Sequence, residues 1–176
     1  IGEIGFSKYG NEYFVNQTGR ILIPNVEKPF ARLAYYSPRF TAQAQYYNRN
    51  TPEAQLVLNA SASSAERSNV GSVEAQWNDS FIDDKLKVIV GASHEIQNVN
   101  TSVVNALPLL KPDTANHNFT GVYGQVDYAV LDELHIVGAA RVDRSTLFKT
   151  QFSPKVGITY SLMHNHNFRV TLNRSF

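Results

Sequence analysis

The chain has 176 residues, of which 43% are hydrophobic and 18% are charged, and its formal net charge is +1. That charge gives no case for a polyanionic partner, and the basic–aromatic interleaving typical of nucleic-acid binding is absent. The lack of cysteine excludes disulfide bonds and thiolate metal sites. No run of residues approaches the ~20 apolar positions that a membrane-spanning helix needs.

Residues 1–29 show weak patterning, and we predict an N-terminal region of loops and short strands there. Ile1–Lys8 and Glu12–Val15 favour short strands around the turn-prone triplet Tyr9-Gly10-Asn11. The chain begins at Ile1 without an initiator methionine or a signal peptide. We therefore expect a piece of a longer protein or a processed product.

Regular alternation of apolar and polar residues begins at Phe30 and predicts an antiparallel wall over residues 30–176. A period of two gives each strand one apolar and one polar face. The clearest stretch, Gly121–Phe176, reads as four strands in two hairpins. Charged residues recur on the polar face, and we expect them to face a watery lumen. These residues are Glu74, Lys87, Glu95, Asp127, Arg141, Asp143, Lys155 and Arg169.

The connections between predicted strands alternate between short and long. The short ones are Ser37-Pro38, Asp79–Asp84, Val130–Glu133 and Leu162–Asn167, and the long ones are Asn48–Arg67, Asn98–Asn118 and Arg144–Thr150. Outer-membrane barrels have short turns on one rim and longer loops on the other. A soluble β-sandwich has no reason to alternate in this way. The predicted fold class is all-β, an antiparallel meander of about eight or more long strands in a transmembrane β-barrel.

Patterns that support catalysis or metal binding are scarce. There is no nucleophile elbow, phosphate-binding glycine loop or HExxH motif, so we predict no enzymatic activity, no catalytic residue and no cofactor. His164-Asn165-His166 has a metal-like spacing, but it lacks a third ligand and is interpreted as a surface turn.

The two longest links exceed the ~12–15 residues usual for simple connectors. If the chain binds a ligand, the site is expected in these links and on the lumen face, and the alternative is a mobile, solvated loop. Polar side chains in these links offer hydrogen bonds to a polar ligand. The candidate ligand contacts are Thr51, Gln55, Asn59, Asn100, Asn105 and Asn116.

Four motifs near the C-terminus resemble barrel segments of TonB-dependent outer-membrane receptors. They are Gly124-Gln125-Val126-Asp127-Tyr128, Ala140-Arg141-Val142-Asp143, Gln151-Phe152-Ser153-Pro154-Lys155-Val156-Gly157 and Phe168-Arg169-Val170-Thr171-Leu172-Asn173-Arg174-Ser175-Phe176. The resemblance implies a segment of a bacterial outer-membrane receptor for active uptake of a scarce small-molecule or glycan ligand, of the siderophore, cobalamin or glycan class.

The same resemblance implies particular partners. The family's barrel contacts outer-membrane lipid, and its transport depends on a TonB complex acting through an N-terminal plug that is not visible in this chain. A full barrel of that family has about 22 strands. This chain is therefore expected to supply only part of one.

Two other interpretations stay open from the sequence alone. A complete small barrel of about eight strands would act as an adhesin, a structural protein or a narrow pore. A soluble β-barrel or β-sandwich binding module would instead bury the apolar row in a dry core. That row consists of Leu86, Val88, Val90, Ile136, Val156, Ile158 and Val170.

Overall fold

A computed structural model describes residues 1–16, 19–58, 62–101, 114–162 and 166–175. These residues form eleven strands and no helix, which confirms the all-β prediction. The strands are β1 (Gly2–Asn16), β2 (Gly19–Tyr36), β3 (Phe40–Asn50), β4 (Gln55–Val57), β5 (Ala62–Ser64), β6 (Arg67–Phe81), β7 (Leu86–Asn100), β8 (Thr114–Leu131), β9 (Leu134–Ser145), β10 (Gln151–Leu162) and β11 (His166–Asn173). Within the described ranges, no helix with the length and apolar character of a membrane span is found.

Neighbouring strands in sequence are mostly neighbours in the sheet, as a meander requires. The strand order is β11-β10-β9-β8-β7-β6-β3-β2-β4-β5, and β1 pairs with β2 outside this path. Short turns at residues 37–39, 82–85 and 132–133 join the long strands, close to the predicted positions. The small β4–β5 hairpin lies inside the first long link, where β4 pairs with β2. The predicted antiparallel meander is therefore confirmed.

The register across β8, β9 and β10 separates polar from apolar residues. Tyr123 pairs with Arg141, whereas Val122 pairs with Val142 and Val142 in turn with Phe152. Directly opposed residues point to the same side of a sheet. We call the side of Tyr123 and Arg141 the polar face and the side of Val122, Val142 and Phe152 the apolar face. The three apolar side chains are 56%, 44% and 57% exposed, so no described element covers them.

Two compact units are distinguished by their internal contacts. Unit 1 comprises Ile1–Ala34, Ala44–Ser72 and Glu95–Asn118, and unit 2 comprises Tyr35–Gln43, Val73–His94 and Phe119–Phe176. The buried hydrophobic side chains of the described residues all lie in unit 1, and they are Ile21, Ile23, Val26, Ala34 and Ala65. Among the residues that the structure describes, a small hydrophobic core is therefore found only in unit 1.

The N-terminal region differs from its prediction as loops and short strands. Gly2–Asn16 forms one strand of 15 residues that pairs with β2 along nearly its whole length. The register skips Asn11, which has a φ of 55°, and Pro24, so the turn-prone triplet becomes a local irregularity inside the strand. The backbone pairing with β2, the next strand along the chain, overrides the weak local pattern, because a long ladder satisfies the backbone N–H and C=O groups of both strands. The division into residues 1–29 and 30–176 stays a prediction.

Candidate ligand-binding site

Unit 1 contains a cavity of about 440 Å³. Its walls come from β1, β2, β3 and β6 and from Glu66, which precedes β6. A volume of this size lies within the range of small-molecule sites. The side chains that give the cavity its chemistry are Ser7, Lys28, Phe30, Tyr47, Arg49 and Glu66.

Two aromatic rings form one wall of the cavity. Phe30 and Tyr47 stack with their ring centroids 6.3 Å apart and an interplanar angle of 26°. The two side chains are 39% and 46% exposed. Gly5 lies under the Phe30 ring, which occupies the space that a Cβ atom at that position would need. The pair therefore offers an accessible apolar surface to a planar ligand group.

The cavity carries two cations and one carboxylate. Arg49 makes an ion pair with Glu66, and the Glu66 carboxylate also accepts a hydrogen bond of 2.7 Å from the Ser68 hydroxyl. The Lys28 Nζ atom lies 4.9 Å from the centroid of the Tyr9 ring, and it makes no ion pair with any carboxylate in the described ranges. The lining carries two positive charges, on Lys28 and Arg49, and one negative charge, on Glu66. Its formal net charge is therefore +1, which favours an anionic ligand.

Two of the predicted ligand contacts, Thr51 and Gln55, are buried within the first long link. Thr51 is completely buried, and its Oγ1 atom donates to the Glu66 carbonyl at 3.2 Å and accepts from the Glu66 N–H at 2.7 Å. Gln55 is 5% exposed and begins β4, which pairs with β2 at Ile21 and Leu22. The Thr51 hydroxyl therefore has its donor and one of its acceptor positions engaged within the chain.

The other predicted ligand contacts are dispersed. Asn116 is exposed in β8, and Asn100 is half-buried at the end of β7. Asn59 and Asn105 lie outside the described residues. The cavity lining includes none of the four described candidates, which are Thr51, Gln55, Asn100 and Asn116. Their role in ligand binding is untested. Sequence reasoning missed the cavity residues, although Lys28/Phe30 and Tyr47/Arg49 are each spaced to share one strand face.

Unit 2 carries a second polar cluster, on its polar face. The Tyr123 hydroxyl donates to Gln76 Oε1 at 2.9 Å and lies 3.4 Å from Glu74 Oε1. Glu74 also accepts a hydrogen bond of 3.0 Å from Gln43. Tyr123 reaches from β8 to β6 across β7 because Gly91 has no side chain, and a Cβ atom there would overlap the tyrosine ring. The cluster therefore joins three strands through side chains.

The residues predicted to face a lumen share this polar face. The register places Asp127, Arg141, Asp143, Lys155 and Arg169 on it. Glu74 joins them through its contact with Tyr123, and Lys87 and Glu95 are in phase with Gly91 along β7. Arg141 donates to both oxygens of Asp143, at 2.9 and 2.8 Å from Nε. That this face lines a lumen stays a prediction.

The described residues contain no group of three or more histidine, aspartate or glutamate side chains placed to hold a metal ion. His164 and Asn165 of the predicted turn lie outside the described residues, and His166 begins β11.

Comparisons with known proteins bear on the fold. The structure is similar to the crystal structure of the siderophore receptor PirA from Pseudomonas aeruginosa, with a TM-score of 0.56 and 10% sequence identity. The similarity covers 88% of this chain and 33% of that chain, so this chain spans about a third of the neighbour's length. At this identity the likeness shows the fold alone. The sequence matches no curated protein.

The family comparison agrees with the resemblance found in the sequence. Residues 5–176 match the family described as TonB-dependent receptor-like β-barrel. The match covers nearly the whole chain and supports a receptor segment over a complete small barrel or a soluble module. Its members are outer-membrane receptors and transporters of Gram-negative bacteria, which confirms the predicted outer-membrane class. The chain belongs to the TonB-dependent receptor-like β-barrel family.

Proposed function

We propose that the chain forms part of the barrel wall and of the ligand-binding surface of a receptor for active uptake of a scarce ligand. The observation that carries this proposal is the unit 1 cavity, where the Phe30–Tyr47 pair lies beside Lys28 and Arg49. Shape, aromatic surface and charge there combine as a small-molecule site requires. In the whole receptor, a TonB complex acting through a plug would supply the energy for uptake.

A ligand of the siderophore class fits this cavity better than a cobalamin or a glycan. An anionic chelate with planar groups would stack on Phe30 and Tyr47 while Lys28 and Arg49 bind its negative charge. A glycan fragment would use the rings but would leave Lys28 without an anionic partner, whereas Arg49 keeps its ion pair with Glu66. The neighbour of similar fold is described as a siderophore receptor, which agrees with this choice.

The remaining surfaces have complementary roles in the proposal. The charged residues of the polar face would line the watery lumen, since Asp127, Arg141 and Lys155 follow the same side of three adjacent strands. The apolar face would contact the outer-membrane lipid, because its large hydrophobic side chains are exposed.

Ligand binding to the native protein in outer-membrane vesicles tests the proposal. Anionic catecholate iron complexes, a neutral hydroxamate complex, cobalamin and maltodextrin are titrated while intrinsic fluorescence is followed. We expect the anionic complexes to bind most tightly and Lys28→Ala to weaken them about tenfold, since a charge-assisted contact is lost. Lys8→Ala is the matched control, because Lys8 pairs with Glu27 on the other side of the same strand pair. Tightest binding of maltodextrin, with no effect of Lys28→Ala, would contradict the proposed ligand class.

A further inference from the structure

The apolar face of unit 2 ends in a polar row formed by His94, Thr120 and Arg144. Thr120 pairs directly with Arg144 across β8 and β9. The Nδ1 atom of His94 lies 2.8 Å from Oγ1 of Thr120, which links β7 to the same row. Thr120 and Arg144 are exposed. The row thus presents a guanidinium, a hydroxyl and an imidazole along one line over three strands.

The position of this row along the strands fits a membrane interface. On β9 the apolar face carries Leu134, Ile136, Gly138, Ala140 and Val142 in succession. These residues span about 27 Å at ~3.4 Å per residue, or roughly 21 Å for a strand tilted by ~40°, close to the ~25 Å apolar band of outer-membrane barrels. Arg144 is the next residue on that face. It therefore falls where the hydrocarbon ends and the lipid headgroups begin.

The charge of the row is not neutralised within the described part of the chain. The apolar-face positions of β8, β9 and β10 include no acidic residue. The neighbouring Asp143 points to the polar face, where its Oδ1 atom lies 2.8 Å from Nη2 of Arg141. The Arg144 guanidinium makes no hydrogen bond or ion pair with another side chain in the described part of the chain. A planar guanidinium left open in this way is well suited to bind a phosphate through two parallel hydrogen bonds.

We propose that His94, Thr120 and Arg144 bind the phosphate group of an anionic membrane lipid. Arg144 supplies the charge, and Thr120 adds a hydroxyl donor when His94 donates its Nδ1–H to Oγ1, which leaves the Thr120 hydrogen for the phosphate. The acyl chains of the same lipid would lie along the exposed apolar face below the row, against Val122 and Val142. The site is thus continuous with the apolar face, which contacts lipid in the proposed function, and it shares no residue with the lining of the unit 1 cavity.

Lipid binding to the native protein in dodecyl maltoside tests this site. The protein is titrated with dioleoyl phosphatidic acid in mixed micelles, and bound lipid is counted by native mass spectrometry. We expect Arg144→Ala to weaken binding about five- to tenfold and Thr120→Val about twofold. Arg169→Ala is the matched control, because Arg169 is an exposed arginine of β11 on the polar face. Heat-modified gel mobility checks that each variant is folded.

Three results would overturn the site. Unchanged lipid binding in a folded Arg144→Ala variant would show that Arg144 does not contact the phosphate. Equal losses in Arg144→Ala and Arg169→Ala mean that binding follows total charge rather than position. If inorganic phosphate binds as tightly as phosphatidic acid and depends equally on Arg144, the site takes a soluble anion and not a lipid. A loss specific to Arg144 and to phosphatidic acid supports the lipid site.

Discussion

Unit 1 and unit 2 use stretches of the same long strands but stabilise them differently. In unit 1, the β4–β5 hairpin pairs with β2, and Ile21, Ile23 and Val26 are buried with Tyr9 and Val57 packed against them. In unit 2, the described strands have no second layer, and side-chain hydrogen bonds link them on the polar face. Among the described residues, buried hydrophobic side chains cluster where the β4–β5 hairpin extends the sheet beside β2. In unit 2, the side chains on each face of the sheet must suit the water or the lipid that the face contacts.

The largest expected effect comes from placing a charge on the apolar face of unit 2. Ile136→Arg should lower the free energy of unfolding by about 2–4 kcal/mol, because the guanidinium would enter the hydrocarbon layer. Val137→Arg is the matched control: Val137 is the next residue of β9 and pairs with Asp127 on the polar face. Urea unfolding of the native protein in lipid vesicles measures both. Equal losses would mean that the two faces are not lipid-facing and water-facing.

The core of unit 1 should respond to the loss of volume rather than to charge. Val26 is completely buried, so Val26→Ala should cost about 2 kcal/mol from lost burial and the cavity that remains. Val122→Ala in unit 2 removes the same atoms from a side chain that is 56% exposed and should cost less than half as much. The measurement is again urea unfolding in vesicles. A similar cost at both positions would mean that the unit 1 core does not add stability beyond the wall.

The same contrast explains which features the sequence predicted. The wall of unit 2 follows from period-two alternation, since each strand shows its two faces within a few residues. The long β1–β2 pairing was missed because the turn-prone triplet Tyr9-Gly10-Asn11 lies inside β1. The β4–β5 hairpin was missed because each of its strands has only three residues. Thr51 and Gln55 look like exposed loop polar residues, but both are buried. The unit 1 cavity was missed because Lys28, Phe30, Tyr47 and Arg49 belong to strands rather than to the long links.

Gly91 provides a smaller, more local test of the polar network in unit 2. Gly91→Ala should displace the Tyr123 ring from Gln76 and cost about 1 kcal/mol, the net value of a typical hydrogen bond with some strain. In a Tyr123→Ala background the same substitution should be nearly neutral, because the space above residue 91 is then empty. A double-mutant cycle on unfolding free energies gives the coupling. Additive losses would show that Gly91 does not act through Tyr123.

The smallest expected effect is the difference in stability lost when each of two surface ion pairs, one in each unit, is removed. Lys8 and Glu27 in unit 1 meet through one contact of 3.1 Å, so Glu27→Gln should cost no more than about 0.3 kcal/mol. Arg141 in unit 2 holds Asp143 with Nε and a terminal nitrogen, and this fork fixes the geometry. Asp143→Asn should therefore cost more, about 1 kcal/mol.

Salt distinguishes the causes of these two losses. Surface ion pairs weaken as ionic strength rises, so unfolding of both variants and of the native protein is measured at low and at high salt. The loss of stability in Glu27→Gln should vanish at high salt. The loss in Asp143→Asn should persist in part, because the hydrogen bonds between Arg141 and Asp143 are directional. Equal, fully screened losses would mean that the Arg141–Asp143 fork stabilises the wall no more than an ordinary surface pair. In that case the stability of unit 2 would rest on its backbone pairing and its lipid-facing side chains.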